Sequence, residues 1–133
     1  MNPHLAVITA YFDLVDSFTT DPAAYAEVLH ADVIQTEYPN ALYKAIQRRS
    51  YTEILDNLRI GRELLHDTRF EVLRTQVCAD ETVIVEGLWQ ATVLNDVMSL
   101  SRGQRLSSQL CLIFEFKDGK IFRQRRYPCY EVL

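Results

Sequence analysis

Arg105-Leu-Ser-Ser-Gln-Leu-Cys-Leu-Ile-Phe-Glu-Phe-Lys117, then Asp118-Gly119, then Lys120-Ile-Phe-Arg-Gln-Arg-Arg-Tyr127, is the longest regular pattern in the chain. A type I′ turn needs positive φ at both central positions, and an Asp-Gly pair between two alternating segments supplies residues that tolerate it. The stretch therefore predicts a long antiparallel hairpin. Side chains alternate across a strand, so Leu110, Leu112, Phe114 and Phe116 share one face, and Gln109, Cys111, Ile113 and Glu115 share the other. The first face is uniformly apolar and should look into a core or a pocket.

Upstream of the hairpin, Thr82 to Val93 reads as another long strand, and Phe70-Glu71-Val72 opens one that runs to about Val77. Residues 95–103 form the loop into the hairpin. Ser50 and Glu53 make an S-x-x-E capping box for a helix that buries Ile54, Leu55, Leu58 and Leu65. Val33 to Tyr38 is a β-branched segment closed by Pro39-Asn40, and residues 39–49 read as loop. Asn2-Pro3 caps a first helix with Leu5, Ile8, Phe12 and Val15 at helical spacing; Asp21-Pro22 starts a short second one that buries Tyr25, Val28 and Leu29. Helix, helix, strand, helix, then four strands predicts a single α+β domain over residues 1–133, with helices on one face of an antiparallel meander.

A chain of 133 residues can bury a core without disulfide or metal staples. Its net charge of −4 argues against nucleic acid or anionic membrane as a partner. Three cysteines without close spacing, Cys78, Cys111 and Cys129, read as reduced thiols. Asp13 and Asp16 interrupt the apolar N-terminal stretch, which is no signal peptide, and nothing approaches a membrane span, so a cytoplasmic protein is expected. There is no H-x-x-x-H, no C-x-x-C, no G-x-S-x-G and no glycine-rich loop, so no metal and no cofactor is expected.

The element order, together with Tyr11, Ala31-Asp32-Val33, Pro39, Phe116-Lys-Asp-Gly-Lys-Ile121 and Arg126-Tyr127, resembles the nuclear transport factor 2-like superfamily. More closely it resembles the SnoaL-like branch, which is similar to ketosteroid isomerase and polyketide cyclases. The resemblance implies a curved, mixed, mostly antiparallel sheet wrapped round about three helices into a cone. It also implies a pocket for a small, largely apolar molecule and a homodimer through the outer sheet face. Against ketosteroid isomerase itself, Tyr38 stands where that family keeps its general-base Asp, Leu112 where it keeps a protonated Asp, and Tyr11 where it keeps an oxyanion-binding Tyr. Enolisation by that route needs a carboxylate base and a strong donor, and the Tyr-Leu replacement offers neither at those places.

If Leu112 faces the pocket, Phe122, Gln124 and Arg126 should join it, with Ile121, Arg123, Arg125 and Tyr127 outside. For the strand before, alignment by resemblance puts Ile84, Glu86, Leu88, Gln90 and Thr92 inside; the competing reading makes Glu86 an ordinary solvated strand residue. An inward Glu86 would be paired with Arg126 or have a raised pKa, and either state suits acid–base chemistry. Of the neighbours Glu37 and Tyr38 only one can point inward, and the more apolar set Ile34, Thr36 and Tyr38 favours Tyr38. Glu86 and Tyr38 are thus the catalytic candidates. Tyr11, Glu37, Leu88, Leu110, Leu112, Phe114, Gln124 and Arg126 are the ligand-binding ones. Trp89, alternating with valines, is expected at the dimer interface, and His4, His30 and His66 as surface or cap residues.

Overall fold

The computed structural model describes residues 2–131, and its elements are α1 (Pro3–Asp16), α2 (Pro22–Tyr25), β1 (Leu29–Glu37), β2 (Gln47–Arg49), α3 (Tyr51–Leu64), β3 (Leu65–Val77), β4 (Val83–Val93), β5 (Arg105–Lys117) and β6 (Lys120–Tyr130). The helices begin where the sequence signals them. Asn2 Oδ1 accepts from the His4 N–H at 2.8 Å, Asp21 Oδ1 from Ala23, and Ser50 and Glu53 close a reciprocal capping box. No helix among the described residues is long and apolar enough to cross a membrane.

The six strands form one curved, unclosed sheet in the order β2-β1-β6-β5-β4-β3. Every pairing is antiparallel except β1 with β6, which is parallel. The core lies on the concave face, where Ile8, Tyr11, Tyr25, Ile54 and Leu55 from the helices pack on Leu110, Leu112, Phe114, Val83 and Val85. This is the expected α+β architecture of a sheet wrapped round N-terminal helices.

The hairpin turns as the Asp-Gly pair requires, with φ of 54° at Asp118 and 74° at Gly119. Its register then changes. Lys117 pairs with Lys120 and Phe116 with Ile121, but Glu115 pairs with Arg123, so Phe122 is an extra residue in β6. A two-residue turn alone would set Leu112 opposite Arg125; the bulge sets it opposite Arg126. Gln124 and Arg126 therefore do share the Leu112 face, as expected, and they do so because of the bulge. The same irregularity exchanges two other residues: Ile121 is fully buried, while Phe122 is half-buried, with the Arg123 guanidinium 3.8 Å over its ring.

Four expectations need correction. In β4 the buried residues are Val83, Val85, Gly87, Ala91 and Val93, so Glu86 and Leu88 lie on the opposite, outer side, and Glu86 is exposed. In β1 the buried residues are Leu29, Val33, Gln35 and Glu37, leaving Tyr38 half-buried and stacked on Tyr127 with 4.7 Å between ring centroids. The stretch 39–49, read as loop, ends in β2, which pairs with the end of β1 and carries a buried Arg49. Finally, α3 passes straight into β3 at Leu65, ahead of the predicted start, because Leu65 already has extended dihedrals (φ −132°, ψ 149°).

Candidate functional site

The parallel pairing of β1 with β6 sets Gln35 opposite Gln124 and Glu37 opposite Arg126. Antiparallel β2 then sets Arg49 opposite Gln35. Two successive strands and the distant β6 thus bring two amides, a carboxylate and two guanidinium groups to one part of the concave face. Tyr11 reaches them from α1.

Their hydrogen bonds form a connected network. Gln35 Nε2 donates to Gln124 Oε1 at 2.6 Å and to Tyr11 Oη at 3.4 Å, and Tyr11 Oη donates to Gln124 Oε1 at 3.4 Å. Arg49 Nη1 donates to Gln35 Oε1 at 3.0 Å and to Glu37 Oε1 at 3.1 Å. Asn40 Nδ2 donates to the other carboxylate oxygen, Glu37 Oε2, at 3.0 Å. Asn40 is held for this by its own turn, its Oδ1 accepting from the N–H groups of Leu42 and Tyr43. Arg126 Nε lies 3.5 Å from Glu37 Oε1. Glu37 and Arg49 are 4% and 7% exposed, so this is a buried ion pair, tolerable because hydrogen bonds satisfy both partners.

Beside the network lies a cavity in two adjoining lobes. One, of about 130 Å³, is lined by Tyr11, Gln35, Ser108, Leu110 and Arg126, with Thr68 among its polar groups. The other, of about 170 Å³, is lined by Glu37, Tyr43, Met98, Leu100 and Leu106. Asn57, Gly61, Leu65, Trp89, Arg126 and Tyr130 line both. Most of the wall is apolar, and its charged groups, Glu37 and Arg126, lie on the β1–β6 side. Burial pushes the Tyr11 phenol up, against the opposing charge of Arg126. Burial, with the nearby Glu37 carboxylate, pushes Tyr130 up to about 12. Both phenols are therefore neutral donors at physiological pH, which leaves Glu37 and Arg126 as the charged groups in the lining.

The predicted site residues separate into three groups. Tyr11, Glu37, Leu110 and Arg126 line the cavity, and Gln124 is bonded to two of its lining residues. Leu112 and Phe114 face inward but belong to the packed core beneath, where Phe114 meets the Tyr11 ring edge-on at 6.4 Å. Glu86, Leu88 and Tyr38 stand outside the cavity lining, Glu86 in an outer groove with Cys111, Tyr127 and Cys129. Trp89, expected at an interface, instead lines both lobes, with its ring edge-on to Tyr130 at 6.3 Å.

Sequence reasoning missed Gln35, Arg49, Asn40 and Tyr130. Alternation along Val33-Gln35-Glu37 groups one of them, Gln35, with Glu37, but polarity argued for turning that face to solvent. Among the described residues, no three His, Cys, Asp or Glu side chains converge to hold a metal.

A family model described as the SnoaL-like domain matches residues 8–124. No curated protein matches the chain. Solved structures of the same fold include IdmH from Streptomyces antibioticus, assigned provisionally as a polyketide cyclase. It superposes with a TM-score of 0.76 at 15% identity, over 96% of this chain and 92% of that one. A SnoaL-like protein from Jannaschia sp. CCS1, also provisionally a polyketide cyclase, gives 0.75 at 13% identity, over 95% and 85%. An NTF2-like protein from Burkholderia thailandensis E264 gives 0.70 at 21% identity, over 96% and 91%. At these identities the likeness is one of fold.

Proposed function

The chain belongs to the family of SnoaL-like domains, and from that premise we propose that its cone binds a small, largely apolar molecule and performs acid–base chemistry of isomerase, cyclase or hydratase type on it. Glu37 is the proton-transferring group in this reading, and Arg126 stabilises the oxygen on which charge develops. The observation that carries it is that Glu37 is the one carboxylate lining either lobe among the described residues, with Arg126 Nε 3.5 Å from it. A general base must reach the proton it takes, and a cationic donor in a water-poor site stabilises an oxyanion strongly. Glu86 meets neither condition from the outer face. The polycarbonyl compounds suggested by the cyclase assignment of IdmH are the first substrates to try.

The experiment is native mass spectrometry of the purified protein with a small-molecule screen, followed by assay of any retained compound for conversion. Glu37→Gln should lower turnover about 100-fold or more, as loss of a general base does, with binding changed only a few-fold. Glu86→Gln should leave both unchanged. Retention without conversion would support a second reading, a non-catalytic binding module. That reading is favoured by the fact that both Glu37 oxygens already accept hydrogen bonds, from Arg49 and Asn40.

The same proposal includes a homodimer through the outer sheet face, where Leu73 is 61% and Tyr127 39% exposed beside a shallow groove. A sedimentation mass of one 15.4 kDa chain at micromolar concentration would reject that assembly.

A further inference from the structure

We infer that the molecule held in the cone is a small organic acid whose carboxylate docks on the Arg126 guanidinium. This rests on the reading that the cone binds a small molecule, and it adds the chemical class of that molecule.

The first ground is charge. At the polar end of the cavity one carboxylate, Glu37, faces two guanidinium groups, Arg49 and Arg126. Tyr11 and Tyr130 cannot supply the missing negative charge, since both phenols are held above their ordinary pKa. No other Asp or Glu among the described residues lines either lobe. One positive charge is left uncompensated in a largely apolar, partly open cavity, which favours an anionic guest.

The second ground is the hydrogen-bond inventory. Arg49 is engaged through Nη1 by Gln35 and Glu37, with the Tyr43 ring 5.5 Å from its guanidinium carbon. The Arg126 side chain makes no hydrogen bond to the described residues, its buried Nε having only the Glu37 carboxylate at 3.5 Å, and it lines both lobes. Gln124, 2% exposed, likewise has an unpartnered Nε2, and Thr68, on the wall of the first lobe, an unpartnered Oγ1. The unfilled groups are N–H donors and one hydroxyl; none is an acceptor alone. Buried polar groups are nearly always satisfied, so the site asks for a guest rich in acceptors. A carboxylate meets both demands, because its two oxygens match the planar guanidinium fork.

The test is isothermal titration of the full chain near neutral pH with benzoate, naphthoate and phenylbutanoate, each against its own neutral primary amide. We expect an acid to bind at least about tenfold more tightly than its amide, the worth of a charge-assisted hydrogen bond in a site of this kind. Arg126→Gln should erase that gap, Arg126→Lys should keep part of it, and Arg125→Gln, on the outer strand face, should leave it intact. Acids and amides binding equally well would overturn the inference and leave the binding cone standing. A gap that survives in Arg126→Gln would overturn Arg126 as the dock. If no acid or amide binds, the inference and the binding cone fall together. Should Arg126→Gln not fold, the acid–amide comparison on the unaltered protein and on Arg126→Lys still decides.

Discussion

Gly87 is the point on β4 where Phe70 of the neighbouring strand comes closest. A Cβ there would fall 2.4 Å from the Glu71 carbonyl oxygen and 2.6 Å from a Phe70 ring carbon. Backbone cannot yield as a flexible side chain can, so Gly87→Ala should cost about 2 kcal/mol in chemical denaturation. Glu86→Ala, one residue away and exposed, should stay within about 0.5 kcal/mol of the parent. Tyr130 gives a second prediction. An unfolded Tyr titrates near about 10, and Tyr130 in the fold is pushed up to about 12. The folded state thus favours the neutral phenol: its contribution is whole below pH about 10 and is lost as pH rises towards about 12. Thermal midpoints should fall over that window, and Tyr130→Phe should fall less steeply. At this scale the sequence was least legible. Choosing Tyr38 over Glu37 followed the rule that the more apolar face turns inward. The rule failed because Arg49 and Asn40, which make a buried Glu37 tolerable, come from a separate strand and a turn. On β4 the same rule was right, and alignment by resemblance was the misleading guide.

Among the elements, the helix starts and the β5–β6 turn are written locally, so they could be read from a few residues. Ser50→Ala should cost about 1 kcal/mol by removing the α3 cap. Gly119→Ala should cost about the same, because an L side chain at φ 74° is strained. Both are measurable by urea titration. The Phe122 bulge is an element of another kind, since neither turn chemistry nor hydrophobic period announces an extra residue in a strand. Yet it decides which side chains enter the cavity. Deleting Phe122 should take out the bulge and leave every pair beyond it in place, Phe114 with Gln124 and Leu112 with Arg126, because Phe122 is the one residue of β6 without a partner there. The deletion protein should keep the hairpin and the preference for acids over amides, the first read by amide exchange across β5 and β6 and the second by titration.

For the whole molecule, α+β class, helix count and the antiparallel meander followed from patterns within one segment or between adjacent ones. The polar end of the cavity did not, because it is assembled by pairings between β2, β1 and β6 that no local pattern encodes. Those pairings also bear on how the chain comes to exist. Gln35 and Gln124 are 89 residues apart, yet β1 gains its parallel neighbour only when β6 is in place. During synthesis on the ribosome, an early strand with a polar face must wait while nearly the whole chain is made. Its open edge during that interval is where misassembly between nascent copies would start. Closure over so long a loop is entropically slow, so refolding from denaturant should take on the order of milliseconds to seconds. Stopped-flow fluorescence of Trp89 on β4, set against Tyr130 of β6, would time the arrival of the last strand, on which the β1 pairing waits.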